Sequence, residues 1–444
     1  MKRIRFSPFA LVLCLGLLLL AAALAGTTPA VADVNPDTIT IRAKDRALLT
    51  GSFFQQFVGV NKSELVAYRY LGGVWEPIPS QLDEKDTFGK YTIAEGGLLD
   101  ANDEFVFMAQ DVGDEAAEDN WVNDSLARSN WRYKIHVVDD LHPTEEGWVY
   151  LYRSTTLPQS AVSYVSWDEP TETFTGLNYT ASFDQSTITG IAGLTVNGVA
   201  VDILDRQKVR VLQRSCQGTN CQEDNINEEN LSSYITVPPL NVIINGPVRA
   251  IADGPNLTFI ATGASLDTVI SVDLSTRDIS GVNVNFLNFR YSFDFNSPAA
   301  MGFSPATYYS PVKTGGAPVD GVPDSVPVGP LVTWYEHIGS WGGLVTILSM
   351  TPTTGVQNFY RDNSAVDPTD TGDLKAFGET GIYMPDPDSN IIIRTVFYPI
   401  PAGVGNVGAD YRARYSTPLT TTALAQKAGL EAAGFLPVAI KAMP

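Results

Sequence analysis

Histidine is scarce in this chain: only His136, His142 and His337 occur. The motifs through which histidine usually acts are missing as well. There is no His-Glu-x-x-His pair to hold zinc and no Cys-x-x-Cys-His haem attachment. A phosphate-cradling Gly-x-x-x-x-Gly-Lys loop and a Gly-x-Ser-x-Gly nucleophile elbow are also absent. These absences argue against zinc peptidase, nucleotide hydrolase and c-type cytochrome. A Ser-His-Asp triad assembles from distant residues, and no segment points to one. No fixed-period repeat occurs, so a propeller or solenoid is not supported.

Charge is low and lopsided. Charged residues make up 18% of the chain, below the usual ~25%, with 29 Lys and Arg against 49 Asp and Glu. The segment "MKRIRFSPFALVLCLGLLLLAAALAGTTPAVA" has a basic start, an apolar centre and a small-x-small end at Ala30-Val31-Ala32. Residues 1–32 are therefore expected to be a cleaved secretory signal, with a retained N-terminal anchor as the alternative. Its loss moves the formal charge from −20 to −23, because it carries three basic residues and no acid. So acidic a surface repels phosphate backbones and anionic lipid, and nucleic acid is the least expected partner. The expected location is secreted or at the cell surface, or periplasmic where an outer membrane exists, with no stable membrane span after cleavage.

Three cysteines occur, and Cys14 lies within the leader. Cys216 and Cys221, in "SCQGTNC", are left in an oxidising compartment, and a short Gly-containing loop can bring them within bridging distance. A local disulfide is predicted.

What the chain has in abundance is alternation. "TITIRA", "ELVAYRYL", "EFVFMA", "YKIHVV", "GWVYLYRS", "LDTVISVDLS", "GGLVTILSM" and "NIIIRTVFYPI" place apolar residues at every second position, the pattern of half-buried strands. Asn197-Gly198 and Asn245-Gly246 lie between such runs, where positive φ is tolerated, and predict tight hairpins. Pro247 would deny a following strand one donor, which suggests an edge or bulge. The Ala-rich "TALAQKAGLEAAGF" predicts a C-terminal helix. The expected fold is all-β: antiparallel β-sandwich(es) closed by a short helix. An N-terminal β domain with acidic loops is expected over 33–155, and a larger sandwich over 156–444.

Between Asp83 and Asp119 the chain carries twelve acidic residues against two lysines. Asp83, Asp86, Asp100, Asp103 and Asp111 are the candidate ligands of a structural calcium ion, which takes six to eight oxygens from carboxylates, amides and backbone. The spacing is not that of an EF-hand. The competing reading is a solvated turn whose carboxylates cap loop amides. A second acidic loop, "RDNSAVDPTDTGD", offers Asp367, Asp370 and Asp373 in the same two ways.

"TWYEHIGSWGG", "FRYSFDF" and "FSPATYYSP" gather Trp334, His337, Trp341, Arg290, Tyr308 and Tyr309. Aromatic faces stack on sugars, and His, Glu or Tyr beside Arg can move protons. Core packing is the rival reading. If Trp334 to Gly339 is a strand, Glu336 and His337 face opposite ways, which weakens any direct acid/base pairing.

"PIPSQLDEKD" followed by "GLLDANDEFVFMAQDVGD" resembles segments of uncharacterised exported bacterial proteins. The β-rich remainder, with "NGPVRAI" and "RYSTPL", is similar in texture to galactose mutarotase-like sandwiches and some polysaccharide lyases. That resemblance implies an exported β-sandwich acting on or binding glycans, and it carries over no catalytic residue. The expected function is a non-catalytic exported β-sandwich protein, calcium-stabilised and glycan-binding, whose partner is a glycan or cell-surface component. The alternatives are a polysaccharide lyase or glycoside hydrolase, and a self-associating surface or filament subunit built by edge-strand pairing.

Overall fold

The computed structural model describes residues 38–183, 190–233, 240–254 and 256–429. The expected signal at 1–32 lies outside the described residues. The architecture is all-β and antiparallel, as the alternation predicts.

"EFVFM" becomes the strand Glu104–Met108, buried along its whole length. It sits between Arg46–Thr50 and Ser80–Lys85 in a four-stranded sheet, with Tyr91–Thr92 at the far edge. A five-stranded sheet faces it, ordered Thr420–Lys427, Trp131–Val138, Glu146–Arg153, Leu65–Leu71, Val74–Pro77. Leu49, Phe105 and Phe107 from the first sheet meet Tyr133, Ile135 and Leu151 from the second in one core. Phe54 fills the space between them, edge-on to Phe105 at 5.7 Å and to Tyr133 at 5.1 Å. Each such side chain contributes roughly 1.5–3 kcal/mol by leaving water.

The C-terminal helix expected across "TALAQKAGLEAAGF" is corrected over its first half. Thr420–Lys427 is a strand, paired in register with Trp131–Val138. Ala423 and Ala425 pack on the same core as Ile135. An unpaired neighbouring strand and a half-buried alanine face outweigh the small intrinsic helix preference of Ala and Gln. From residue 430 onward the predicted helix lies outside the described residues. The chain thus returns, at Thr420–Lys427, to the sheet built by its first third.

The second sandwich is larger. A nine-stranded sheet runs from Val242–Asn245 through Arg249–Asp253, Leu257–Thr262, Leu266–Asp273, Asn390–Ile400, Gly342–Thr351, Trp334–Gly339 and Ala306–Tyr309 to Ala317–Val319. It faces a sheet whose main path is Asn220–Asn227, Leu204–Gln217, Val282–Phe295, Ala376–Pro385 and Gln357–Asn363. Tyr291, Phe293 and Ile382 from one sheet interleave with Leu344, Leu348 and Phe397 from the other. The helix Gly408–Ser416 covers the outer face of the nine-stranded sheet, where Tyr411 and Tyr415 pack near Trp334 and Val345.

The Asn197-Gly198 turn forms but closes no hairpin, because Ile191–Val196 pairs with Tyr179–Phe183 while Leu204–Gln217 pairs with Asn220–Asn227 and Val282–Phe295. Asn197 and Gly198 both take positive φ, 54° and 71°, and the Val199 amide donates to the Val196 carbonyl at 3.0 Å. Val242–Asn245 and Arg249–Asp253 form a hairpin with an irregular register between Val242 and Ile244, and Pro247 lies in its turn. Cys216 and Cys221 face each other across the hairpin Leu204–Gln217 and Asn220–Asn227 and are joined as a disulfide.

Candidate functional site

The acidic run does not converge on one point; it divides among four tasks. Asp83, on Ser80–Lys85, accepts from Arg249 Nε at 2.5 Å, and Glu104 accepts from Arg249 Nη2 at 2.6 Å. Arg249 is buried in the other sandwich, so this pair of carboxylates belongs to a junction. Burial pushes Glu104 up, but Arg249 and Lys85 outweigh it and hold the carboxyl down to about 2. Gln81 completes the seam, accepting from the Val248 and Arg249 amides at 3.0 Å. Asp86 caps its own turn, taking the Phe88 and Lys90 amides at 2.9 Å. Asp111 accepts from the Tyr164 hydroxyl at 2.7 Å while its second oxygen is buried without a partner among the described residues. Burial pushes the Asp111 carboxyl up to about 6, against the Tyr164 hydrogen bond. The expectation of one five-carboxylate cluster is therefore corrected: among the described residues Asp83, Asp86 and Asp111 do not converge with Asp100 and Asp103.

Asp100 and Asp103 do come together, and Glu95 joins them. One carboxylate oxygen from each of the three lies within 4.8 Å of the others. The loop is shaped by its own sequence. Gly96 and Gly97 take φ of 86° and 76°, a region that residues with a side chain rarely adopt, and so turn Glu95 back toward Asp100. Asp100 Oδ1 accepts the amides of Asn102 and Asp103 at 3.0 and 3.2 Å. Asp103 accepts from the Lys85 amide at 3.1 Å and the Asp100 amide at 3.0 Å. The Asn102 side chain ties this loop to the carbonyls of Lys85 and Asp86 at 2.9 and 2.7 Å. The cation paired with this loop is Lys62, 2.9 Å from Glu84 and 3.4 Å from Asp103. Residual desolvation and the charges of Asp100, Asp103, Asp86 and Glu84 all raise the pKa of exposed Glu95. Loop carboxylates with spare lone pairs and too little compensating charge form the donor set a hard divalent cation uses, the remaining oxygens coming from backbone and water. Sequence reasoning missed Glu95; its position immediately before Gly-Gly was the signal.

In the second acidic loop two of the three named carboxylates, Asp367 and Asp370, pair with the protein's own cations. Asp370 lies 2.8 Å from Arg210, 3.0 Å from Arg361 and 3.0 Å from the wholly buried Lys208, and Asp367 lies 3.1 Å from Arg361. The protein's own cations occupy these carboxylates and fasten the loop over the sheet.

The aromatic cluster is dispersed. Trp334–Gly339 is a strand, and its side chains alternate as the pattern predicts. Trp334 faces the helix Gly408–Ser416. Glu336 on the same side accepts the amides of Asn406, Val407 and Gly408 at 2.6, 2.7 and 2.9 Å, filling the helix N-terminus. Tyr335 and His337 face the core. His337 is 1% exposed; it contacts Phe295 and Tyr308 and donates from Nε2 to the Gly378 carbonyl at 3.0 Å. Burial pushes the imidazole down to about 3, so it is neutral at pH 7. Tyr308 and Trp341 are buried in the same core, and Tyr309 is half-buried under the helix. Arg290 stands apart, stacked 4.4 Å from the Phe359 ring and 3.4 Å from Glu379. The reading of these six residues as one sugar-stacking surface is corrected: Trp334, Tyr308, His337 and Trp341 show no face to solvent.

Comparison with protein-family models finds no match, and neither does comparison with curated proteins. Among the described residues, no helix is long and apolar enough to cross a membrane.

Proposed function

We propose that this chain is an exported, non-catalytic β-sandwich protein of the cell surface or extracellular space, stabilised by calcium and binding glycan. The observation that carries the reading is the approach of Glu95, Asp100 and Asp103 carboxylates to within 4.8 Å of one another on a surface loop. A calcium ion there would relieve their mutual repulsion and fix the loop between Ser80–Lys85 and Glu104–Met108. Asp103 is adjacent to Glu104, which holds Arg249 of the second sandwich, so ordering this loop supports the junction. The lyase or hydrolase alternative finds less support. Its named proton carriers, Glu336 and His337, lie on opposite faces of one strand, and each is committed to a structural partner.

Calorimetry of the chelator-treated protein tests the metal. Calcium at about 100 times its dissociation constant adds about 2.7 kcal/mol to stability. An unchanged melting temperature at millimolar calcium removes the cation from the proposal.

A further inference from the structure

We infer that the sugar-binding site is a cleft at the junction of the two sandwiches and that it takes one neutral, ring-sized polyhydroxyl unit; this rests on the glycan-binding reading above. The cleft has a volume of about 210 Å³ and lies between Leu65–Leu71, Ser80–Lys85, the connector at Gln159 and Ser160, and Pro247 from the second sandwich. Sites for drug-sized ligands hold roughly 300–1,000 Å³. A single sugar ring suits this smaller space, and a stacked oligosaccharide does not. Ala67, Ile78 and Phe105 lie behind the cleft at 1%, 4% and 1% exposure, so it recognises a ligand by polar contact and not by ring stacking. Its polar lining holds uncommitted groups of both kinds. The Ser80 hydroxyl and the Gln159 amide make no hydrogen bond among the described residues, and Ser160 Oγ only accepts, from the Val162 amide at 3.3 Å. An amide and two hydroxyls can donate and accept together, as hydroxyl-bearing ligands require.

Charge sets the class of sugar. Lys62 is the cation lining the cleft, and Glu84 at 2.9 Å and Asp103 at 3.4 Å already face its ammonium. Glu84 and Asp103 hold this ammonium from outside the cleft, so the lining offers a uronate carboxylate no unpaired cation, whereas a neutral sugar needs none. The site is remote from Trp334, His337 and Trp341, none of which lines it.

The test is ligand-observed NMR and calorimetric titration of the purified protein with glucose, galactose, mannose, N-acetylglucosamine and glucuronate, alongside an array of neutral oligosaccharides. At least one neutral monosaccharide is expected to bind with a dissociation constant on the order of 1 mM, and glucuronate about fivefold or more weaker than glucose. Gln159→Ala, on an exposed connector, is expected to weaken binding about three- to tenfold. Ser160→Trp, which fills the cleft, is expected to abolish binding with the melting temperature unchanged. Binding of an oligosaccharide that both variants retain in full overturns this cleft and leaves glycan binding standing. Failure of every sugar and oligosaccharide to bind overturns both.

Discussion

Arg249 Nε lies 2.5 Å from Asp83 Oδ2, and the two residues belong to different sandwiches. Both are buried, at 1% and 3% side-chain exposure. The contact is therefore a desolvated ion pair across the junction, backed by Glu104 on the second guanidinium nitrogen.

Breaking it by removing one partner strands the others. Arg249→Met is expected to cost about 3–5 kcal/mol, because Asp83 and Glu104 lose their buried cation. Urea denaturation measures this. Replacing both members, Arg249→Met with Asp83→Leu, is expected to recover part of the loss, since paired apolar groups carry no desolvation penalty.

The pH profile of stability has a sign that can be worked out on each side. Asp111 sits above its ordinary value, at about 6, so its contribution is full below the unfolded value and is lost as pH rises through 6. Glu104 sits below, at about 2, so its contribution is full above the unfolded value and is lost as pH falls toward 2. Asp111→Asn is expected to gain about 2–3 kcal/mol at pH 7.5 and to flatten the curve between pH 4 and 6. Thermal melts from pH 3 to 8 read both effects; an Asp111→Asn curve parallel to wild type contradicts them.

Glu95→Gln separates the cation site from simple surface charge. It removes one of three carboxylates and relieves repulsion among exposed neighbours. The metal-free variant is expected to melt at or slightly above wild type, while its calcium-induced shift falls to near zero. A full calcium shift in the variant would place the ion elsewhere.

Trp341 and Tyr308 are expected to behave as core. Alanine at either position should cost about 3–5 kcal/mol. Any loss of ligand binding should then track unfolding, not precede it. Circular dichroism beside titration distinguishes the two orders.

The Cys216–Cys221 bridge closes a short loop at an exposed hairpin end. Chain entropy puts its contribution at about 2 kcal/mol for so short a loop. Cys216→Ser with Cys221→Ser is expected to lower stability by no more than that and to leave the sheet order unchanged, as read by denaturation and far-ultraviolet spectra.

Some of this was legible in the chain itself. Alternation in "EFVFM" and "GWVYLYRS", Asn-Gly turns and a short Cys-to-Cys loop are local signals. Their physics, side-chain period and positive φ, acts within a few residues. The opposed faces of Glu336 and His337 followed from that period alone. What the sequence could not assign was the partner of each charge. Asp83, Asp100 and Asp111 look alike in an acidic run, yet one meets Arg249 from 166 residues away, one meets Glu95 across a loop, and one meets Tyr164. The strand at Thr420–Lys427 shows the same limit: an Ala-rich segment with helical preference becomes β because Trp131–Val138 offers it backbone donors and acceptors. Local preference is worth tenths of a kcal/mol per residue, whereas a satisfied sheet edge and a buried charge are each worth several times that. Those stronger interactions form only when segments far apart in the chain meet.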